Sequence, residues 1–192
     1  MKKIIFAAVL IALGVAFRSV FHLGENIEFI TTATLLAGSY LGGGWTLGIP
    51  LAILGITDLM IGNTTIALFT WSAYGVIGLV SWWGFKKFKV KSSKFKVLIR
   101  IRNALGMGMV ASLWFYLWTN FGVWLLDSWG MYTRDIYGLL ESYRMGIPFL
   151  RMTIVGNALF IPAAFGLVEF VKRIIILPSV SFFQTVNQRM HA

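Results

Sequence analysis

The residues in this chain whose chemistry stands out are suited to holding a ligand rather than to catalysis. Asp58 lies inside the apolar run Trp45 to Ile61, where a carboxylate at mid-bilayer costs about 2.5 to 3.5 kcal/mol on insertion scales. Gly62 and Asn63 close that run, so Asp58 sits near an interface. There a polar ligand or an Arg partner would justify it, or it serves as a structural ion pair or a helix-end cap. Asn120 and Trp124 stand four residues apart and share a face if their helix continues that far. Trp71 falls about 10 Å along a helix from Thr64 at about 1.5 Å per residue, which is pocket depth, although an aromatic at that depth also suits a bundle core. Trp and Tyr near Arg and Asp match a planar ring with polar substituents. A bare metal ion is a poor match, because its usual ligands are scarce: His22 and His191 are the two histidines and cysteine is absent. The chain has no Gly-x-Ser-x-Gly, no His-Glu-x-x-His and no Gly-x-x-x-x-Gly-Lys-Ser/Thr. It therefore offers no familiar serine-histidine, zinc or nucleotide-hydrolysing constellation, and the reading is of a protein that is not an enzyme and needs no cofactor.

What must position these residues follows from composition. The 192 residues are 58% hydrophobic and 12% charged, with a mean hydropathy of +0.78. That is too apolar to keep a soluble surface wet, so the chain reads as an all-α integral membrane protein forming one domain, residues 1–192. Six apolar runs approach the roughly 17 to 25 residues needed to cross a bilayer. They are Ile4 to Phe17, Ile27 to Leu41, Trp45 to Ile61, Thr64 to Phe85, Asn103 to Phe121 and Arg151 to Val171. The second and third form a hairpin about Gly42-Gly43-Gly44.

The first run, preceded by Lys2-Lys3, reads either as a signal peptide with a small-residue site at Gly14-Val15-Ala16 or as a retained span. Ala8, Ala12 and Ala16, four residues apart, favour the retained span, since a small-residue stripe permits close helix packing. His22 reads as an interfacial side chain. Between Asp127 and Pro148, charged residues mix with Trp129, Tyr132, Tyr137 and Tyr143, as expected of an interfacial segment with a short amphipathic helix. Glu169 is placed to pair with Lys172 and Arg173 as a surface ion cluster. Residues 174–192 read as a tail.

Charge sets the orientation. The run Lys86 to Arg102 holds eight basic residues and no acid. Nucleic-acid binding competes as a reading, but a short basic loop between spans is explained by the positive-inside bias and anionic lipid. Lys2-Lys3, this 17-residue loop and Lys172-Arg173 share the cytoplasmic side if six spans leave both termini inside. Arg18, Glu25, Asn26, Glu28, Asp58, Asn120, Trp124, Asp127, Arg144 and Arg151 then converge at the outer face, as a binding pocket would require.

Certain stretches resemble an uncharacterised family of bacterial membrane proteins related to the substrate-binding S components of energy-coupling-factor (ECF) transporters. They are Ala37-Gly38-Ser39-Tyr40-Leu41-Gly42 after Asn26, Ile49-Pro50-Leu51, Thr57-Asp58-Leu59-Met60-Ile61-Gly62, Thr119 to Trp124, Tyr132-Thr133-Arg134 and Ile147 to Asn157. The resemblance covers about residues 18 to 170. Related chains are expected to carry Pro before Asn26 and Asp at 157, where this one has Glu25 and Asn157. The resemblance implies a six-helix S-component-like bundle in the bacterial inner membrane that binds a vitamin or metal ion near its outer face. It also implies partners: a coupling subunit, driven by two cytoplasmic ATPases, that meets the alanine stripe Ala8, Ala12 and Ala16.

The leading expectation is a subunit that captures a small vitamin-like nutrient through Arg18, Asn26, Glu28, Asp58, Trp71, Tyr74, Asn120, Trp124, Arg151 and Asn157. The alternative is a non-transport membrane protein whose outer polar cluster is an assembly or signalling surface. An intramembrane enzyme is a third class, with no catalytic constellation to build on.

Overall fold

The computed structural model describes residues 2–21, 23–24, 26–62, 65–88 and 95–190, with side chains described up to 174. His22, Glu25, residues 89–94 of the basic run, and His191 lie outside the described residues. Six α-helices follow one another: α1 (Lys2–Ser19), α2 (Ile30–Leu36), α3 (Trp45–Ile61), α4 (Ala67–Lys87), α5 (Lys96–Leu126) and α6 (Ile136–Met190), with a π-helical turn (Ala37–Leu41) ending α2.

The bundle is built around its shortest helix. Every residue from Ile30 to Ala37 is buried, and α2 touches α1, α3, α4, α5 and α6. A helix enclosed on all sides must be apolar all round or satisfy its own polar groups. Thr34 does the latter, its hydroxyl donating to the Ile30 carbonyl at 2.8 Å. Thr31 shares a hydrogen bond with the Tyr74 hydroxyl at 3.3 Å. Around α2 pack Ile49, Ile53 and Leu54 of α3 and Ile161 and Phe165 of α6.

The glycine corner turns as its residues predict. Gly42 and Gly43 take positive φ, 69° and 57°, a conformation costly for residues with a Cβ. The Gly42 amide donates to the Ala37 carbonyl at 2.8 Å. Other glycines let helices touch: a Cβ at Gly14 would collide with Ile53, one at Gly108 with Ile161, and one at Gly78 would stand 2.5 Å from the Thr46 carbonyl oxygen. Small residues at such crossings are what close helix packing in lipid requires.

Among the described residues, two helical segments, Lys96–Leu126 and Ile136–Ile174, are long and apolar enough to cross a membrane. The other four fall short of the expected six full spans for different reasons. Helix α1 carries Lys2, Lys3 and Arg18 within its 18 residues. The apolar helix Ile30–Leu41 would extend about 18 Å at 1.5 Å per residue, against a hydrocarbon core of about 30 Å. Helix α3 has 17 residues, and α4, with 21, is diluted by Thr70, Ser72, Tyr74 and its tryptophans.

Helix α6 also departs from expectation. It begins at Ile136 rather than Arg151, runs through Pro148 and Pro162, and continues over the residues read as a tail. Both sides of its junction with α5 are capped. Arg134 donates to the last carbonyls of α5, those of Trp124, Leu125 and Leu126, which satisfies groups a helix end leaves open. Asp135 caps α6, its Oδ1 accepting from the Gly138 amide at 2.9 Å. Gly138 lies hard against the Thr133 carbonyl, where a side chain would not fit.

Candidate functional site

At the end of the bundle where α1 finishes, α3 finishes and α4 begins, four side chains from three helices and the segment before α2 meet. Arg18 Nη1 contacts Glu28 Oε2 at 3.1 Å and Arg18 Nη2 contacts Asp58 Oδ1 at 3.3 Å. The Trp71 indole donates to Asp58 Oδ2 at 2.7 Å. Arg18 and Asp58 are 13% and 10% exposed, so these are desolvated partners rather than solvated surface charges. Arg18 thus stands between two carboxylates. Arg18 Nε is buried with no hydrogen-bond partner among the described residues.

Beside this group lies a cavity of about 340 Å³ walled by the segment before α2, the start of α4, the end of α5 and the start of α6. Neighbouring residues divide between the two: Trp71 serves Asp58 while Thr70 lines the cavity, and Glu28 serves Arg18 while Asn26 lines the cavity. Asn26 takes φ 60°, a left-handed conformation that Asn tolerates better than most residues. The remaining wall includes Phe115, Tyr116, Thr119, Asn120, Tyr132, Phe149 and Thr153. Among the described residues no Asp, Glu, Lys or Arg lines it.

Most of the wall's polar groups are held by their own helices. The Asn120 amide donates to the Tyr116 carbonyl at 2.8 Å, and the Thr119 and Thr153 hydroxyls bond the carbonyls four residues earlier. Asn120 sits directly over Gly146, which lets α6 approach α5 there. The Tyr116 hydroxyl donates to the Tyr143 carbonyl at 2.7 Å.

Of the residues expected to bind, the cavity thus gathers Asn26 and Asn120, while Arg18, Glu28, Asp58 and Trp71 form the ionic group beside it. Asp58, Asn120 and Arg151 do not meet: Arg151 is exposed on α6. Tyr74 is 3% exposed in the core. Trp124 shares the α5 face with Asn120 but donates to the Thr133 carbonyl at 3.0 Å, which ties the α5–α6 connection down. Asn157 is 1% exposed and donates to Ser112 Oγ at 2.8 Å, an interhelical bond deep in the bundle. On α1, Ala8 and Ala12 face outward and Ala16 is half-buried, while Ala7 and Leu10 turn inward.

The opposite end holds a group that sequence spacing only hinted at. Glu169 pairs with Lys172 at 3.5 Å, as its spacing suggests, but also with Arg100 of α5. It accepts from the Tyr40 hydroxyl at 2.8 Å. Lys172 Nζ and the Arg100 guanidinium lie 3.7 and 5.0 Å from the centre of the Tyr40 ring, within cation–π range.

Among the described residues, fold and site define an all-helical protein with two helices long and apolar enough to cross a membrane and a cavity without charged lining beside a buried ionic group. The chain belongs to a family of unknown function, DUF6580, whose model matches residues 1–183. No curated protein and no solved structure matches it.

Proposed function

We propose that this protein is a membrane subunit that captures a small, neutral, vitamin-like nutrient at the outer face and works with an ECF-type coupling module. The observation that carries this reading is the cavity: about 340 Å³, within the roughly 300 to 1,000 Å³ of small-molecule sites. Its aromatic walls, together with amide and hydroxyl groups, suit a planar ring bearing polar substituents. Among the described residues no charged side chain lines it, which favours a ligand without formal charge. In this reading the six-helix bundle sits in the bacterial inner membrane, both termini are cytoplasmic, and the basic end of the bundle faces inside. The exposed Ala8 and Ala12 edge is then available to a coupling subunit accompanied by two ATPases.

The test is retention. Protein extracted in mild detergent should release a small compound detectable by mass spectrometry. Asn120→Leu, which fills the wall and removes an amide, should abolish that retention, whereas Arg151→Ala should not. Wild-type protein that releases no compound, and is not stabilised by any of a panel of vitamins, would overturn the reading.

A second reading is supported by the exposed rings and apolar side chains of the nearby connection and the start of α6. Trp129, Met131 and Tyr137 are 87%, 61% and 76% exposed, which would suit an assembly or signalling contact in a non-transport membrane protein.

A further inference from the structure

A second cavity, of about 430 Å³, opens at the opposite end of the bundle between the π-helical turn, the end of α4 and the start of α5. Lys86 and Lys96 line it from either side, with Arg100 and Asn103 one and two turns along α5 from Lys96. Its floor includes Ser39, whose hydroxyl is buried without a partner among the described residues.

The charges around this cavity do not cancel. Glu169 is the only acid in contact with the basic group here among the described residues, and Arg100, Lys172 and Tyr40 already share it. Lys86 rests over the Trp82 ring at 5.3 Å, and neither it nor Lys96 has a carboxylate partner among the described residues. Helix α5 opens with no acid in its first turn, which adds the positive end of its dipole. Cations, an amide and an unpaired hydroxyl around one cavity form a donor-rich site complementary to a tetrahedral anion. Trp82 and Phe88 supply apolar wall beside them.

We propose that this cavity binds a phosphate group, presented either by the headgroup of an anionic phospholipid or as free phosphate. Lys86 and Lys96 supply the charge and Asn103 and Ser39 supply hydrogen bonds. This site lies at the opposite end of the bundle from the ligand cavity and, among the described residues, shares no lining residue with it.

The experiment is native mass spectrometry of the full chain in detergent with added phosphatidylglycerol, paired with a phosphorus NMR titration using inorganic phosphate. The double variant Lys86→Gln/Lys96→Gln is compared with Lys87→Gln/Arg173→Gln, which removes the same charge outside the cavity. The cavity variant should lose binding by about tenfold while the control stays within about twofold of wild type. Ser39→Ala should weaken binding without lowering the melting temperature. Sensitivity of lipid retention alone assigns a headgroup; the same sensitivity in the phosphate titration assigns free phosphate. Equal losses in the two double variants would mean diffuse attraction and overturn the proposal, as would binding of neither probe by wild type.

Discussion

The Trp71 indole and the Asp58 carboxylate are joined by a 2.7 Å hydrogen bond across α3 and α4, on the oxygen that Arg18 does not contact. Trp71 thus helps satisfy a carboxylate that would otherwise be expensive inside an apolar helix.

Removing that donor should destabilise the fold and leave the neighbouring cavity alone. Trp71→Phe is expected to cost about 1.5 to 3 kcal/mol, the range for a hydrogen bond to a charged group. Asp58→Ala should cost more, about 3 to 5 kcal/mol, because it strips Arg18 of one partner in a desolvated place. Urea unfolding in detergent measures both. If Asp58→Ala keeps wild-type stability and loses the retained compound, Asp58 is a ligand group instead.

Gly78 offers a test of helix packing in which two effects oppose each other. Helix propensity alone favours Gly78→Ala by up to about 1 kcal/mol. The new methyl, however, would stand 2.5 Å from the Thr46 carbonyl oxygen, and backbone does not yield easily. Overpacking should win, giving a net loss of about 1 to 3 kcal/mol. A raised melting temperature would show that α3 and α4 separate without penalty.

Asp135 carries a pH dependence. The Thr133 hydroxyl and then the Gly138 amide hold its carboxyl below the ordinary range. A carboxyl depressed in the folded state stabilises it above the unfolded value of about 3.9, and that contribution is lost as pH falls through the folded value. The Gly138 amide resonance should therefore titrate with a midpoint under the ordinary Asp value, and Asp135→Asn should keep the cap but flatten the curve. A midpoint at or above about 3.9 would contradict this.

On α1, Ala12→Trp should change the melting temperature little, since exposed substitutions usually stay within about 0.5 kcal/mol. In the transport reading it should also block copurification with a coupling subunit. A large fall in melting temperature would mean that this edge packs inside the bundle.

Local signals were the legible ones. Gly42-Gly43-Gly44 marked a corner because positive φ is a property of single residues. Asp58 advertised a need for a partner because an isolated carboxylate in an apolar run is costly. Which partner it had was not written locally. Arg18 lies forty positions away, and its pairing depends on how α1 crosses α3 through Gly14. Tyr40, Arg100 and Glu169 likewise come from distant stretches, so spacing pointed only to the nearby Lys172 and Arg173, of which Lys172 makes the contact. The start of α6 was obscured by Pro148, which reads as a boundary yet is carried within the helix, as membrane helices allow when neighbours satisfy the freed carbonyl.

Helix α6 lines the cavity beside the ionic group at Met145 to Thr153 and carries Glu169 at the other end. About 24 Å separates Thr153 from Glu169 along its axis at about 1.5 Å per residue. Both belong to one continuous shaft, so a tilt of α6 that widens the cavity also swings Glu169 against Tyr40. The 2.8 Å contact between those two therefore reports, at one end of the molecule, on the position of the helix that walls the cavity at the other.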